Sequence, residues 1–337
     1  MALTKRILAM GLFVVACVGC APHKGQSAGE APFPQSPASR GRDLVLVIMP
    51  NLEATREVFK ALADELSGEM DVKVSEFDAG GGVPKFAQLL EQTKPKALVL
   101  MDNRVLALYR EFQRSRPANT VFPPAVVVMT SFLSEQYRYV RNVTGISYEV
   151  PSVTLFTQLR LLVQRPVRRV GVIHRQFFAG YLKRQQSLAS REDIQLVSVA
   201  VSDKPTPEEV DRALATLKED AVDAIWVLND SVLLTPELVR QAWFPELKDN
   251  VIPVIVGVRK LLTLGKPFGT FAIVPDHPAL GVQTAGVIFD LADKRWSSAK
   301  LRVAQPLSTR TLANFKQAEK MFSLSAQARQ RVDEAVE

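Results

Sequence analysis

From residue 43 onward the chain alternates two kinds of segment, and that alternation limits the fold more than any other feature. Short aliphatic runs recur at 44–49, 97–101, 125–129, 170–173, 224–228, 254–256 and 271–274. They are rich in β-branched residues, too short for helices, and do not alternate polar with apolar, as expected of strands covered on both faces. Amphipathic stretches lie between them. Val58, Ala61, Leu62 and Leu66 share one helical face, as do Phe86, Leu89 and Leu90. Val210, Ala213, Leu214 and Leu217 form a third stripe, and Leu280, Val287, Ile288 and Leu291 a fourth. Thr206-Pro207-Glu208-Glu209 supplies an N-cap, a proline at the first helical position and acids in the first turn. Strand–helix alternation of this kind means an α/β fold with mainly parallel sheets.

The 337 residues exceed one five-strand unit, and at about 150 residues per domain they make two. The expected architecture is two Rossmann-like lobes joined by a hinge. The segment 142–152 (NVTGISYEVPS), punctuated by Gly145 and Pro151, is the expected hinge. This places an N-terminal lobe at 43–146, completed by about 272–300, and a second lobe at 147–271. A C-terminal strand and helices follow at 301–337, with their lobe left open. A TIM barrel also alternates strands and helices, but the unequal spacing and the central break argue against it.

The first 42 residues differ in kind. Lys5 and Arg6 precede an apolar run from Ile7 to Gly19, the pattern of a secretory signal and short for a bilayer span. Both cysteines of the chain, Cys17 and Cys20, fall where cleavage is expected. Val14-Val15-Ala16-Cys17 resembles a bacterial lipobox, whose cysteine carries lipid, and Cys20 is a second candidate. A plain signal peptide with two incidental cysteines is the simpler alternative. Residues 1–19 are therefore expected to be a lipoprotein signal. Residues 20–42, rich in Pro, Gly, Ser and Ala, are expected to be a flexible tether. Loss of the signal lowers the net charge from +7 to +5. No basic run is interleaved with aromatics, so nucleic acid is not an expected partner.

Catalytic signatures are missing from the sequence. Gly80-Gly81-Gly82 lacks the Lys-Ser/Thr of a phosphate loop and the spacing of a dinucleotide fingerprint, so it reads as a turn. There is no Gly-x-Ser-x-Gly elbow. His23, His174 and His277 are too scattered for a metal site, and two cysteines make no zinc cage. No metal, cofactor or enzymatic step is expected. In open α/β sheets ligands bind beyond the carboxyl ends of strands. That rule selects Asn51 and Glu53; Asp102 and Asn103; Thr130 and Ser131; Tyr148; His174, Arg175 and Phe177; Asn229 and Asp230; Arg259; and Asp276. Each is also readable as a cap or a solvated turn. Asp276 in particular fits the start of a helix.

Several segments in order resemble one family. They are Asn142-Val143-Thr144-Gly145-Ile146-Ser147, Arg169-Val170-Gly171-Val172-Ile173, and Val222-Asp223-Ala224-Ile225-Trp226-Val227 leading to Asn229-Asp230. Ile252-Pro253-Val254-Ile255-Val256-Gly257 and Ala279-Leu280-Gly281-Val282-Gln283-Thr284-Ala285-Gly286 follow. Together they resemble the ABC-transporter substrate-binding proteins of the tryptophan/tyrosine type, which have the type I periplasmic-binding-protein fold. The resemblance runs over about 43–335 and is weaker before residue 120. It implies two lobes that close on a small ligand, with ABC permease subunits as partners; the membrane contact is expected from the signal, the lipid-bearing cysteine and the tether, and the chain is expected to be a monomer. It also implies that Asp230 meets a ligand ammonium and that Tyr148 faces the cleft. The chain departs from the family at Met101-Asp102-Asn103-Arg104, at Val258-Arg259 and at His174-Arg175-Gln176-Phe177-Phe178. An aromatic amino acid is therefore not carried over as ligand. The expected function is a lipid-anchored extracytoplasmic solute-binding protein of an ABC importer. A non-transport envelope lipoprotein that binds a partner is the alternative, and a two-domain glycosyl transferase is a weaker third.

Overall fold

The computed structural model describes residues 41–77, 79–263 and 267–336. The expected signal segment, Cys17, Cys20 and nearly all of the tether lie outside them. The first sheet contains β1 (Leu44–Met49), β2 (Asp71–Glu76), β3 (Ala97–Met101), β4 (Ala125–Val128) and β5 (Val143–Gly145). Their order is β2-β1-β3-β4-β5, and every pairing is parallel. Strands β1, β3 and β4 are buried along almost their whole length, which matches their unbroken aliphatic sequences. Helices Glu53–Leu66, Gly82–Thr93 and Asn103–Arg114 cover the faces. Phe86, Tyr109, Phe112 and Phe122 form an aromatic cluster under two of them, with Phe86 and Phe112 5.3 Å apart.

The second sheet holds β6 (Arg169–Arg175), β7 (Gln195–Val201), β8 (Ala224–Val227), β9 (Val254–Val256), β10 (Phe271–Pro275), β11 (Thr309–Ala313) and β12 (Glu334–Ala335). They run in the order β12-β11-β10-β9-β8-β6-β7. The pairings from β7 through β10 are parallel, and β11 is antiparallel to β10. Helices Ser152–Leu162, Ala179–Ala189 and Pro207–Glu219 flank this sheet. The expected N-cap is present and forms part of a capping box: the amide of Glu209 donates to Thr206 Oγ1 at 3.3 Å, and the amide of Thr206 donates to the Glu209 carboxylate at 3.0 Å.

Three segments cross between the sheets: 146–151, the turn at Asp276, and 304–309. They are laced together. The Ser147 amide donates to the Ala304 carbonyl at 2.9 Å, Ala304 to Gly145 at 2.9 Å, and Asp276 to Ser308 at 3.0 Å. After Asp276 the helix His277–Asp293 returns to pack against Glu53–Leu66 of the first lobe. The approach is close because position 281 is glycine: a Cβ there would lie 2.4 Å from the Val58 carbonyl oxygen and 2.8 Å from Ala61 Cβ. The return of the chain begins at residue 277, not at 272, since Phe271–Pro275 is committed to backbone pairing with β9 and β11. The C-terminal segment, left open by sequence, adds β11 and β12 to the second sheet.

Candidate functional site

The site is a cleft of about 440 Å³ where the carboxyl ends of parallel strands from both lobes meet. From the first lobe, helix Asn103–Arg114 follows β3 and presents Asn103, Ala107 and Arg110 at a spacing of one helical turn. The turn after β4 adds Ser131, Phe132, Gln136 and Tyr139. From the second lobe, the turn after β6 brings Arg175, Phe177 and Phe178, and the turn after β8 brings Asn229, Asp230 and Ser231. The volume falls within the roughly 300–1,000 Å³ usual for small-molecule pockets.

Two features tie the walls together. Phe132 has left-handed backbone geometry, with φ 53°. Its ring leaves the first lobe and enters the core of the second, 4.0 Å from the Phe178 ring and edge-on to Tyr181 at 5.1 Å. Beside it, Arg184 of the second lobe pairs with Glu135 of the first. Below Phe132 lies Glu149, on the crossing segment. Its carboxylate accepts from Ser147 Oγ at 3.0 Å and from the Phe132 amide, while Oε1 is sealed away without a partner. Burial pushes this carboxyl up to about 7, against those hydrogen bonds, which hold it down.

Asn103, Ser131, Arg175, Phe177, Asn229 and Asp230 of the sequence-derived set share this cleft. Tyr148 lines a smaller recess of about 30 Å³ next to it, with Glu149 and Asn229. The Tyr148 hydroxyl points away from the ligand space to His277 Nε2 at 3.0 Å, and His277 Nδ1 lies 2.9 Å from Glu57 Oε2. Burial raises the Tyr148 hydroxyl above its ordinary range. The remaining members lie elsewhere. Asn51 Oδ1 accepts from Arg56 at 2.8 Å, and Glu53 is an exposed first-turn acid. Asp102 caps helix Asn103–Arg114, accepting from the Arg104 amide at 2.8 Å. Thr130 is buried and bonds back to the Val128 carbonyl at 3.4 Å. His174 is buried within β6, with Nδ1 2.9 Å from the Arg175 carbonyl oxygen. Arg259 pairs with Glu334 of β12, outside the cleft lining. Asp276 sits at the N-cap of His277–Asp293, but its side chain makes no capping bond.

Asp230 does not offer a free carboxylate. It is 2% exposed and is held bidentately by Arg175, with Nε to Oδ2 at 2.6 Å and Nη2 to Oδ1 at 3.0 Å. The Val232 amide also donates to Oδ1, at 3.0 Å. Reasoning from strand ends missed Arg110, Phe132, Gln136 and Tyr139. The helical spacing from Asn103 would have found Arg110, whereas no sequence signal marks the left-handed turn that aims Phe132.

No protein-family model and no curated protein matches this sequence. Solved structures do. The chain is similar to an ABC domain in complex with L-Trp from Streptococcus pneumonia, with 17% identity, 88% of this chain and 100% of that one covered, and a TM-score of 0.59. It is similar to a substrate-binding protein with adhesive properties from Clostridium difficile, in its ligand-free, open form: 13% identity, 88% and 99% coverage, TM-score 0.61. This chain has the type I periplasmic-binding-protein fold. A conserved domain protein from Vibrio cholerae is alike as well, with 17% identity, 88% and 100% coverage and a TM-score of 0.58. In type I periplasmic-binding-protein terms, the three laced segments are the hinge and the 440 Å³ space is the interlobe cleft. Among the described residues no cluster of His, Cys, Asp and Glu is suited to a metal, and no helix is long and apolar enough to cross a membrane.

Proposed function

We propose that this chain is a lipid-anchored extracytoplasmic solute-binding protein of an ABC import system, working by binding and hinge closure without a chemical step. The observation that carries the reading is one cleft lined from both lobes beside a three-segment hinge. A ligand that touches both walls favours the closed arrangement by its differential affinity, which is what hinge closure requires. Cys17 or Cys20 would hold the lipid, and an acyl chain contributes about 0.8 kcal/mol per buried CH₂ to anchoring. Neither Val18 nor Ala21, the residues after the two cysteines, is acidic, so the membrane is left open.

The test is a thermal-shift screen of amino acids, nucleosides, sugars, peptides and organic acids, since a cleft ligand raises apparent stability by mass action. At least one class is expected to shift the wild type and to leave a cleft-filling S231W variant unmoved. Labelled palmitate should enter the wild type and be lost from either C17S or C20S.

One observation favours a second reading, an envelope module that binds a protein partner. Phe132 and the Glu135–Arg184 pair already join the lobes. A screen without any shift, together with neighbouring genes for surface assembly in place of a permease and ATPase, would select it.

A further inference from the structure

Charge in the cleft is unevenly distributed. Its lining contains the arginines Arg104, Arg110 and Arg175 against the single carboxylate of Asp230. Two of these cations are answered within the protein: Arg175 by Asp230, and Arg104 by Asp102, with Nε to Oδ1 at 3.1 Å. Arg110 is not. Its Nε is buried without a hydrogen-bond partner, and its guanidinium lies over the Tyr139 ring at 5.0 Å, with no carboxylate opposite it among the described residues. Arg138 covers the same ring at 4.9 Å, so a second cation stands beside the first. The first-lobe wall is thus an electropositive surface with one unanswered fork.

The opposite wall supplies a flat apolar surface. Phe177 is 47% exposed and meets Phe178 edge-on at 5.1 Å. Its amide is fixed by Asp203 Oδ1 at 3.0 Å, which holds the turn.

We infer that the solute of this cleft is a small organic carboxylate with a planar apolar body and no compensating ammonium. The inference rests on the solute-binding reading and gives its ligand class. A guanidinium fork matches a carboxylate bidentately, and in a cleft it loses less to solvent than on an open surface. Arg110 receives the carboxylate and Phe177 packs on the body. A zwitterionic amino acid would bring an ammonium to a site whose one carboxylate is already consumed by Arg175 and the Val232 amide. Leaving that ammonium dry and unpaired is unfavourable.

The test compares phenylacetate, phenylalanine and phenethylamine by titration calorimetry on the full chain in detergent. The three share one ring and differ in charge. Phenylacetate is expected to bind at least ten-fold tighter than phenylalanine, with phenethylamine showing no heat. R110Q should lose ten-fold or more for phenylacetate with an unchanged melting temperature, and R110K should recover part of it. Equal or tighter binding of phenylalanine or phenethylamine, lost in S231W, would overturn the ligand class while leaving the solute-binding reading standing. Phenylacetate binding untouched by R110Q and R110K would overturn the role of Arg110. No heat with any of the three overturns the inference, and the wider screen then decides the solute-binding reading separately.

Discussion

Arg175 and Asp230, 55 residues apart in sequence, form a two-pronged ion pair that closes the carboxyl ends of β6 and β8 onto each other. Arg175 also lies 5.0 Å over the Phe178 ring, so the pair is packed as well as bonded. Removing one partner leaves a buried charge without an answer, at a cost of about 3–5 kcal/mol. R175M is therefore expected to be strongly destabilised in urea denaturation. The double variant R175M/D230L should recover most of the loss, because no isolated charge remains. A double variant no more stable than R175M would show that the pair is not the source.

Glu149 makes stability depend on pH in a stated direction. Its folded value, about 7, is raised above the ordinary 4.5. A raised acid contributes stability that is fully present below pH 4.5 and is lost as pH rises through about 7. Wild type should thus weaken between pH 5 and pH 8, while E149Q should not. At pH 8 the variant is expected to be more stable by about 3–4 kcal/mol, because the carboxyl is raised from 4.5 to about 7 and each tenfold change in a protonation equilibrium is worth about 1.4 kcal/mol. Near pH 4.5 the two should converge. Denaturant melts at four pH values measure this.

Phe132 joins two lobes with one ring, 3% exposed, in the core of its neighbour. F132A should cost about 3–5 kcal/mol as a large-to-small core change. It also removes the apolar link between the lobes, so the radius of gyration in X-ray scattering should rise. A loss of stability with unchanged scattering would confine Phe132 to packing.

Two glycines of one helix should respond with opposite sign. G281A drives a methyl into the Val58 carbonyl and should destabilise by about 1–3 kcal/mol, as overpacking does. G286A meets nothing within 4 Å and should stabilise by about 0.5–1 kcal/mol, since alanine loses less backbone entropy in a helix. Paired thermal melts decide both.

The buried strands were legible because burial on both faces leaves an unbroken aliphatic signature, as in Val45–Met49 of β1. Strands β2 and β7 were not. They lie at sheet edges, one face is wetter, and sequences such as Asp71-Val72-Lys73-Val74-Ser75-Glu76 dilute the apolar run. At the site, Asn229 and Asp230 were reachable from the strand-end rule, but Arg175 as the partner of Asp230 was not, because sequence does not announce a contact made by folding. Arg259 looked like a ligand residue for the same reason. Its partner Glu334 arrives on β12, a strand of two residues with no pattern to read.

The return of His277–Asp293 to the first lobe means that neither lobe is an independent unit of inheritance or synthesis. A chain growing from its N-terminus completes β1 to β5 long before the helix that covers Val58 and Ala61 exists. A fragment ending at Pro275 would carry every strand of the first sheet and still lack one of its outer layers. Swapping a lobe between relatives therefore requires three cuts, one in each crossing segment, with Asp276 as one of the joints.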